Sequence, residues 1–125
     1  MTRLITNNPE VLEKYKNRFD TVFVEGGYKD VLLAVRDLIH EGSSLLTHPL
    51  MGSLKPNETV YRSVAVDVKT GPLDMQSLNL IEEAIVTYDK FALVVRPDRG
   101  MNATERMKAD FRAIDLSLIS SALDK

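Results

Sequence analysis

Three alternations of a short apolar run with a helical pattern, all before residue 48, constrain this 125-residue chain more than any other feature. The first run, Arg3–Thr6, is stopped by Asn7-Asn8-Pro9. Asn8 suits a helix N-cap, and Pro9 suits the first helical position, where a missing N–H is no loss. Leu12, Tyr15 and Phe19 then recur at helical spacing, which predicts a helix over about 9–18. Thr21–Glu25 is β-branched and aromatic and reads as a strand, closed by Gly26-Gly27. A second helix is expected over Tyr28–His40, with Val31, Ala34, Val35 and Leu38 on its inner stripe and Leu32 and Ile39 widening it. Gly42 is placed to end that helix. Ser44–Thr47 is the third strand. Strands alternating with helices call for crossover connections, and so for a parallel sheet with helices packed on it.

The second half is read the same way. Val60–Val68 alternates, with Val64, Val66 and Val68 on one side and Ser63, Ala65 and Asp67 on the other. That pattern suits a half-exposed strand at a sheet edge, where it can run antiparallel. Lys69–Leu73 contains Gly71-Pro72 and is a turn. Asp74 caps a helix over about 75–89, with Leu78, Ile81, Ala84, Ile85 and Tyr88 inward. Phe91–Val95 is apolar throughout and reads as a fifth, central strand. Asn102 and Glu105 resemble a capping box for a last helix reaching about Ala122, with Met107, Phe111, Ile114 and Leu118 inward. The expectation is one α/β domain over residues 1–125. It is a three-layer α/β/α sandwich of Rossmann or flavodoxin-like type, on a mostly parallel sheet of about five strands that admits one antiparallel edge strand.

Charge and cysteine usage narrow the function classes. The net charge is −2, and basic and acidic residues number eight and eight over 1–62, then eight and ten over 63–125. No basic arm or stripe is present, so nucleic-acid binding lacks its electrostatic footprint. Cysteine is absent, which excludes disulfides, thiol redox chemistry, a cysteine nucleophile and thiolate metal sites. MTRLITNNPE has no signal-peptide core, and no apolar run approaches the roughly 20 residues of a membrane span. A cytoplasmic protein free of membrane is expected.

In an open α/β sheet, ligands bind beyond the carboxyl ends of the strands. Here those ends are Thr6-Asn7-Asn8, Glu25-Gly26-Gly27, Thr47-His48-Pro49 and Arg96-Pro97-Asp98. The loop between Ser44 and Arg62 holds the densest set of polar groups in the chain. A ligand-binding set follows: Asn7, Asn8, Gly26, Gly27, Thr47, His48, Ser53, Lys55, Asn57 and Arg96. Gly26-Gly27 can offer amides at a helix N-terminus to an anion, or simply make a tight turn. His48 is the best candidate for an acid or base, being titratable near neutrality; the alternative is a histidine hydrogen-bonded within an irregular loop. Lys55 can hold an anion or be solvated; Arg96 and Arg99 can clamp an anion or salt-bridge to Asp98 or a helix end. No GxGxxG, Walker, GxSxG or HExxH pattern occurs. Two histidines without metal-ligand spacing argue against zinc, and no spacing supports magnesium at Glu25, Glu58 or Asp98. No cofactor and no metal are expected.

Five segments, TNNP (6–9), VFVEGGYKDVL (22–32), LIHEGSSLLTHPLMGSLKPNET (38–59), SLNLIEEAI (77–85) and IDLSLISSAL (114–123), resemble the GrdX family over nearly the whole chain. The most specific part is Leu46–Thr59. The resemblance implies a small accessory protein of the glycine reductase system, near glycine, sarcosine or betaine reduction in amino-acid fermentation. It carries over no catalytic residue, only a shared surface or pocket at the TNNP, EGG and THPL–GS–KPNE positions. The reductase itself works by thiol and selenol chemistry, which a cysteine-free chain does not supply.

Three functions remain open on these grounds. The first is a non-catalytic accessory protein that binds glycine reductase components or a small anionic ligand. The second is a small enzyme acting on an anionic metabolite, with His48 as acid or base and Lys55 or Arg96 on the anion. The third is a structural interaction domain, such as a homodimer through an exposed edge strand or a helix face.

Overall fold

The computed structural model describes residues 1–50, 60–94 and 104–124, with the backbone alone at 91–94. The elements are β1 (Thr2–Thr6), α1 (Pro9–Tyr15), β2 (Asp20–Phe23), α2 (Tyr28–His40), β3 (Ser44–Leu45), β4 (Ser63–Asp67), α3 (Met75–Val94) and α4 (Glu105–Leu123). Local chemistry accounts for several of their ends. Asn8 caps α1 by accepting from the Glu10 amide at 3.0 Å, with Pro9 in the first turn. Gly42 follows α2 at φ +117°, and a Cβ there would meet Gly71 N at 2.7 Å, so only glycine fits. The Ser77 hydroxyl donates to the Asp74 carboxylate at the start of α3. Thr104 caps α4, its hydroxyl accepting from the Met107 amide. Asn102 lies outside the described residues.

The sheet corrects the expected architecture. It has four strands in the order β2-β1-β4-β3. Only β1 and β2 pair in parallel, while β4 is antiparallel to both β1 and β3. A mostly parallel, Rossmann-like sheet of five strands is therefore excluded, for two physical reasons. The apolar run at Phe91 does not start a strand: residues 91–94 continue α3, since nothing in Tyr88-Asp89-Lys90 breaks a helix. Val95 lies outside the described residues. The second reason is β4, which sits between β1 and β3 rather than at an edge, with Ser63, Val64, Ala65 and Val66 all fully buried. Its two faces do alternate as expected, but the second is covered by α4 instead of facing water.

Two features of the expected fold survive. Helices cover both faces of the sheet. β1, β2 and β3 also run in one direction, because β3 and β1 are each antiparallel to the β4 between them. On one face Ile5, Val64 and Val66 pack against Val31, Leu32, Val35 and Ile39 of α2 and Ile81, Ala84 and Ile85 of α3. On the other, Leu4 and Ala65 pack against Val11 and Tyr15 of α1 and Ile119 of α4. Helix α4 is turned from its expected register: Asp115 and Ile119 are buried, whereas Met107 and Ile114 are exposed. Among the described residues, no helix is long and apolar enough to cross a membrane.

Candidate functional site

Because β1, β2 and β3 share a direction, the turns after Thr6, Phe23 and Leu45 gather on one edge of the sheet, beside the start of β4. Asn7 clasps this edge. It is 6% exposed, and its side-chain amide donates to Gly26 O at 3.0 Å and to Val60 O. Its Oδ1 accepts from the Arg62 amide at 2.9 Å. One side chain thus ties the β1, β2 and β4 turns together, using both of its donors and its acceptor.

The neighbouring turn is built around Asp30. Gly27 caps α2, and its N–H donates to Asp30 Oδ2 at 2.7 Å. A Cβ on Gly26 would stand 2.4 Å from that oxygen and 2.9 Å from Asp30 Cβ. The glycine pair therefore makes room for the helix's own carboxylate, which takes the place an external anion would occupy.

Across β4, Thr47 Oγ1 accepts from the Ala65 amide at 3.0 Å and extends the β3–β4 ladder. His48 is exposed, and its Nδ1 accepts from the Leu50 amide at 3.0 Å. That bond places the neutral ring's proton on Nε2. Asn7 and Gly26 are in direct contact, whereas Thr47 and His48 lie on the far side of β4. Ser53, Lys55, Asn57 and Arg96 lie outside the described residues.

Asn8 turns to the other face and opens a network that the sequence pattern does not announce. Its side-chain amide donates to Asp115 Oδ2 at 3.1 Å and to Arg112 O at 2.9 Å. The Ser63 hydroxyl donates to the same Asp115 oxygen at 2.7 Å and contacts Thr6 Oγ1 at 2.7 Å. Thr6 Oγ1 in turn accepts from the Asn8 amide at 3.0 Å. Thr6, Asn8, Ser63 and Asp115 are all buried. Asp115 Oδ1 has no hydrogen-bond partner among the described residues. The one available signal was Asp115 itself, the only charge in the run from Ala113 to Leu123.

Buried beside Ser63, the Arg62 guanidinium lies 5.1 Å from the centroid of the Tyr28 ring. Tyr28 stacks on Tyr88 at 5.3 Å. Burial pushes the Tyr28 phenol up to about 12, and the charge of Asp115 adds to that push while Arg62 opposes it. Arg112 carries the lattice outward, bonding Glu10 at 3.0 Å and the Tyr61 hydroxyl at 2.9 Å.

Among the described residues no pocket opens at this edge, and no group of three His, Asp or Glu side chains is placed to hold a metal ion. What the arrangement does chemically is to fix backbone turns and present their outer surfaces in one shape. Comparison with protein families supplies the remaining observation: the model described as GrdX-like protein matches residues 3–124. No curated protein matched the chain, and no solved structure did.

Proposed function

Given that the chain belongs to the GrdX-like family, we propose that it is a non-catalytic accessory protein of glycine, sarcosine or betaine reductase metabolism. In this reading it binds a reductase component at the sheet edge around Asn7, Gly26, Gly27, Thr47 and His48, over the buried Asn8; a small anionic ligand would meet that edge away from the Gly27 amide, which Asp30 holds. Ser53, Lys55, Asn57 and Arg96, expected from the sequence to share this role, lie outside the described residues. The family supplies the metabolic context.

The observation that carries the non-catalytic part is His48. Its Nδ1 is engaged by the Leu50 amide, and no acid among the described residues is bonded to its ring. A histidine held this way orders a turn; a general base needs an orienting partner and a substrate within reach. Asn7 likewise spends its side-chain donors and acceptor, and Asp30 its Oδ2, on backbone. A surface stiffened in this manner keeps its shape on binding, which lowers the ordering cost of docking a partner.

The test uses the full chain and purified glycine reductase components in a calorimetric titration, with amino acids, acyl phosphates and nucleotides screened in parallel by thermal shift. Saturable binding to a component, weakened by His48→Ala, is the expected result. A ligand that raises the melting temperature of wild type and His48→Ala equally would move the site away from this edge. Turnover of any screened metabolite would overturn the non-catalytic reading.

A further inference from the structure

Among the described residues β2 is an edge strand: it pairs with β1 and with no strand on its other side. The parallel ladder decides which backbone groups are left over. The Val24 amide donates to Thr6 O at 2.8 Å, so Val22 and Val24 direct their N–H and C=O toward β1. Alternate residues point the other way, which turns the N–H and C=O of Thr21 and Phe23 outward. Both faces of the strand are also only partly covered. Val22 pairs with Ile5 on the α2/α3 side and is 40% exposed; Phe23 pairs with Thr6 on the α1/α4 side and is 37% exposed. Natural edges are commonly protected by lysine, proline or a bulge. Asp20-Thr21-Val22-Phe23 has neither lysine nor proline, and its single charge is already bound to Arg3 at 2.6 Å.

We propose that this edge is closed by the β2 edge of a second copy of the chain. The two strands run antiparallel about a two-fold axis that passes midway between the two Val22 residues, perpendicular to the sheet. The axis makes Val22 face Val22 of the second copy as a non-hydrogen-bonded pair, and Thr21 face Phe23 of the second copy as hydrogen-bonded pairs. Those are the residues whose backbone groups point outward, so the register uses every open group of the strand centre. Charge fits it as well. Asp20 stands opposite Val24, just past the strand end, and among the paired residues Asp20–Phe23 no like charges oppose each other. Pairing continues the four-stranded sheet across the axis and draws both exposed apolar side chains into cross-strand contact.

The chain's lack of cysteine makes the test direct. In a non-hydrogen-bonded antiparallel pair the Cα atoms stand about 4.5 Å apart, within disulfide reach. Val22→Cys, oxidised in the full chain, is expected to run as a covalent dimer on a non-reducing gel. Val86→Cys, equally single but on the 65% exposed Val86 of α3, is expected to stay monomeric there. By light scattering the wild type should have twice the 14.0 kDa chain mass, and Val22→Lys should return it to 14.0 kDa with an unchanged circular dichroism spectrum. A wild type that stays at 14.0 kDa up to its solubility limit overturns the proposal. So does a dimer that Val22→Lys leaves intact, or one that Val22→Cys does not cross-link. If Val22→Lys fails to fold, the cross-link alone decides.

Discussion

The two faces of the sheet are covered by different chemistry. On the α2/α3 face the contact is dry: Ile5, Val64 and Val66 against Val31, Leu32, Val35, Ile39, Ile81, Ala84 and Ile85. On the α1/α4 face the buried apolar cluster shrinks to Leu4, Val11, Tyr15, Ala65 and Ile119. Hydrogen bonds do much of the rest. Asp115 takes Ser63 and Asn8, and the Tyr15 hydroxyl bonds Ser120 at 2.8 Å and Asp124 at 3.0 Å. Asp124 also pairs with Lys14 and Arg18, at 33% exposure where solvent screens the charges. Burial of apolar area is non-directional and adds up, whereas a polar network is stable only while each member keeps its partner. The first face therefore supplies most of the stability. The second fixes where α4 sits and how the turns at the strand ends are shaped.

The largest expected effect is on the dry face. Leu32 is fully buried, and Leu32→Ala should cost about 3 kcal/mol through lost transfer energy and the cavity left behind. Urea denaturation should show one cooperative transition with a lower midpoint and an unchanged slope. A loss below about 1 kcal/mol would mean this face is not the main store of stability.

Alkaline pH probes the point where the two faces communicate, because Tyr28 packs in the dry cluster yet feels both Arg62 and Asp115. Its phenol is raised to about 12 in the fold, against about 10 in an unfolded chain. Below pH 10 neither state ionises it, and its contribution is fully present. Between pH 10 and 12 the unfolded chain gives up the proton while the folded chain holds it, so stability falls as pH rises. The loss is about 1.4 kcal/mol per pH unit, roughly 2.7 kcal/mol across the window. Unfolding free energies measured at about pH 9.5 and pH 11.5 should differ by about 1.7 kcal/mol of that total, and the difference should shrink in Tyr28→Phe. An equal loss in both proteins would assign the pH dependence to other groups.

On the polar face, Asp115→Ala removes the acceptor of two buried donors, the Ser63 hydroxyl and the Asn8 amide. The expected cost is about 2 kcal/mol, below that of Leu32→Ala, since loss of the carboxylate also relieves its own desolvation. Its signature is regional. Amide exchange should speed up along α4 and in the turn at Asn8, while α2 keeps its protection. Uniform acceleration across both helices would show that the two faces unfold as one unit.

The same contrast explains what could be read from the chain alone. The α2 boundaries and the α3 stripe were legible because apolar periodicity reports apolar burial, and that face is apolar. Helix α4 misled for the opposite reason. Met107, Phe111, Ile114 and Leu118 form its obvious stripe, yet Met107 and Ile114 are exposed, and the buried positions include an aspartate. Phe91 was ambiguous in principle, since a short apolar run suits a buried strand and a helix end alike. The place of β4 depended on pairing with β1, more than 55 residues away, which no local pattern encodes. At the candidate site, topology sufficed to bring Asn7 and Gly26 to one edge, because it requires only that β1 and β2 be parallel. Arg62, Ser63 and Asp115 were missed because their environment depends on which helix covers β4.

The smallest effect tests whether the turn at the α2 end is as tightly built as the network on the other face. Gly26→Ala introduces a Cβ 2.4 Å from Asp30 Oδ2 and 2.9 Å from Asp30 Cβ. Gly26 has no positive φ to preserve, so the cost comes from the contact. Asp30 must swing away and release the Gly27 amide, leaving the N-terminus of α2 without its carboxylate. Loss of such a cap is worth about 1 kcal/mol. Asp30→Ala should therefore cost about the same, and it removes Oδ2 and Cγ but leaves the Cβ that the alanine meets at 2.9 Å. In the double variant Gly26→Ala/Asp30→Ala only that Cβ contact remains, so the second change should cost less than it does alone, with a coupling energy of up to about 1 kcal/mol in the cycle. Additive losses would instead mean that Gly26 is required by the Asn7 bond to its carbonyl. The turn would then belong to the polar clasp rather than to the cap of the dry-face helix.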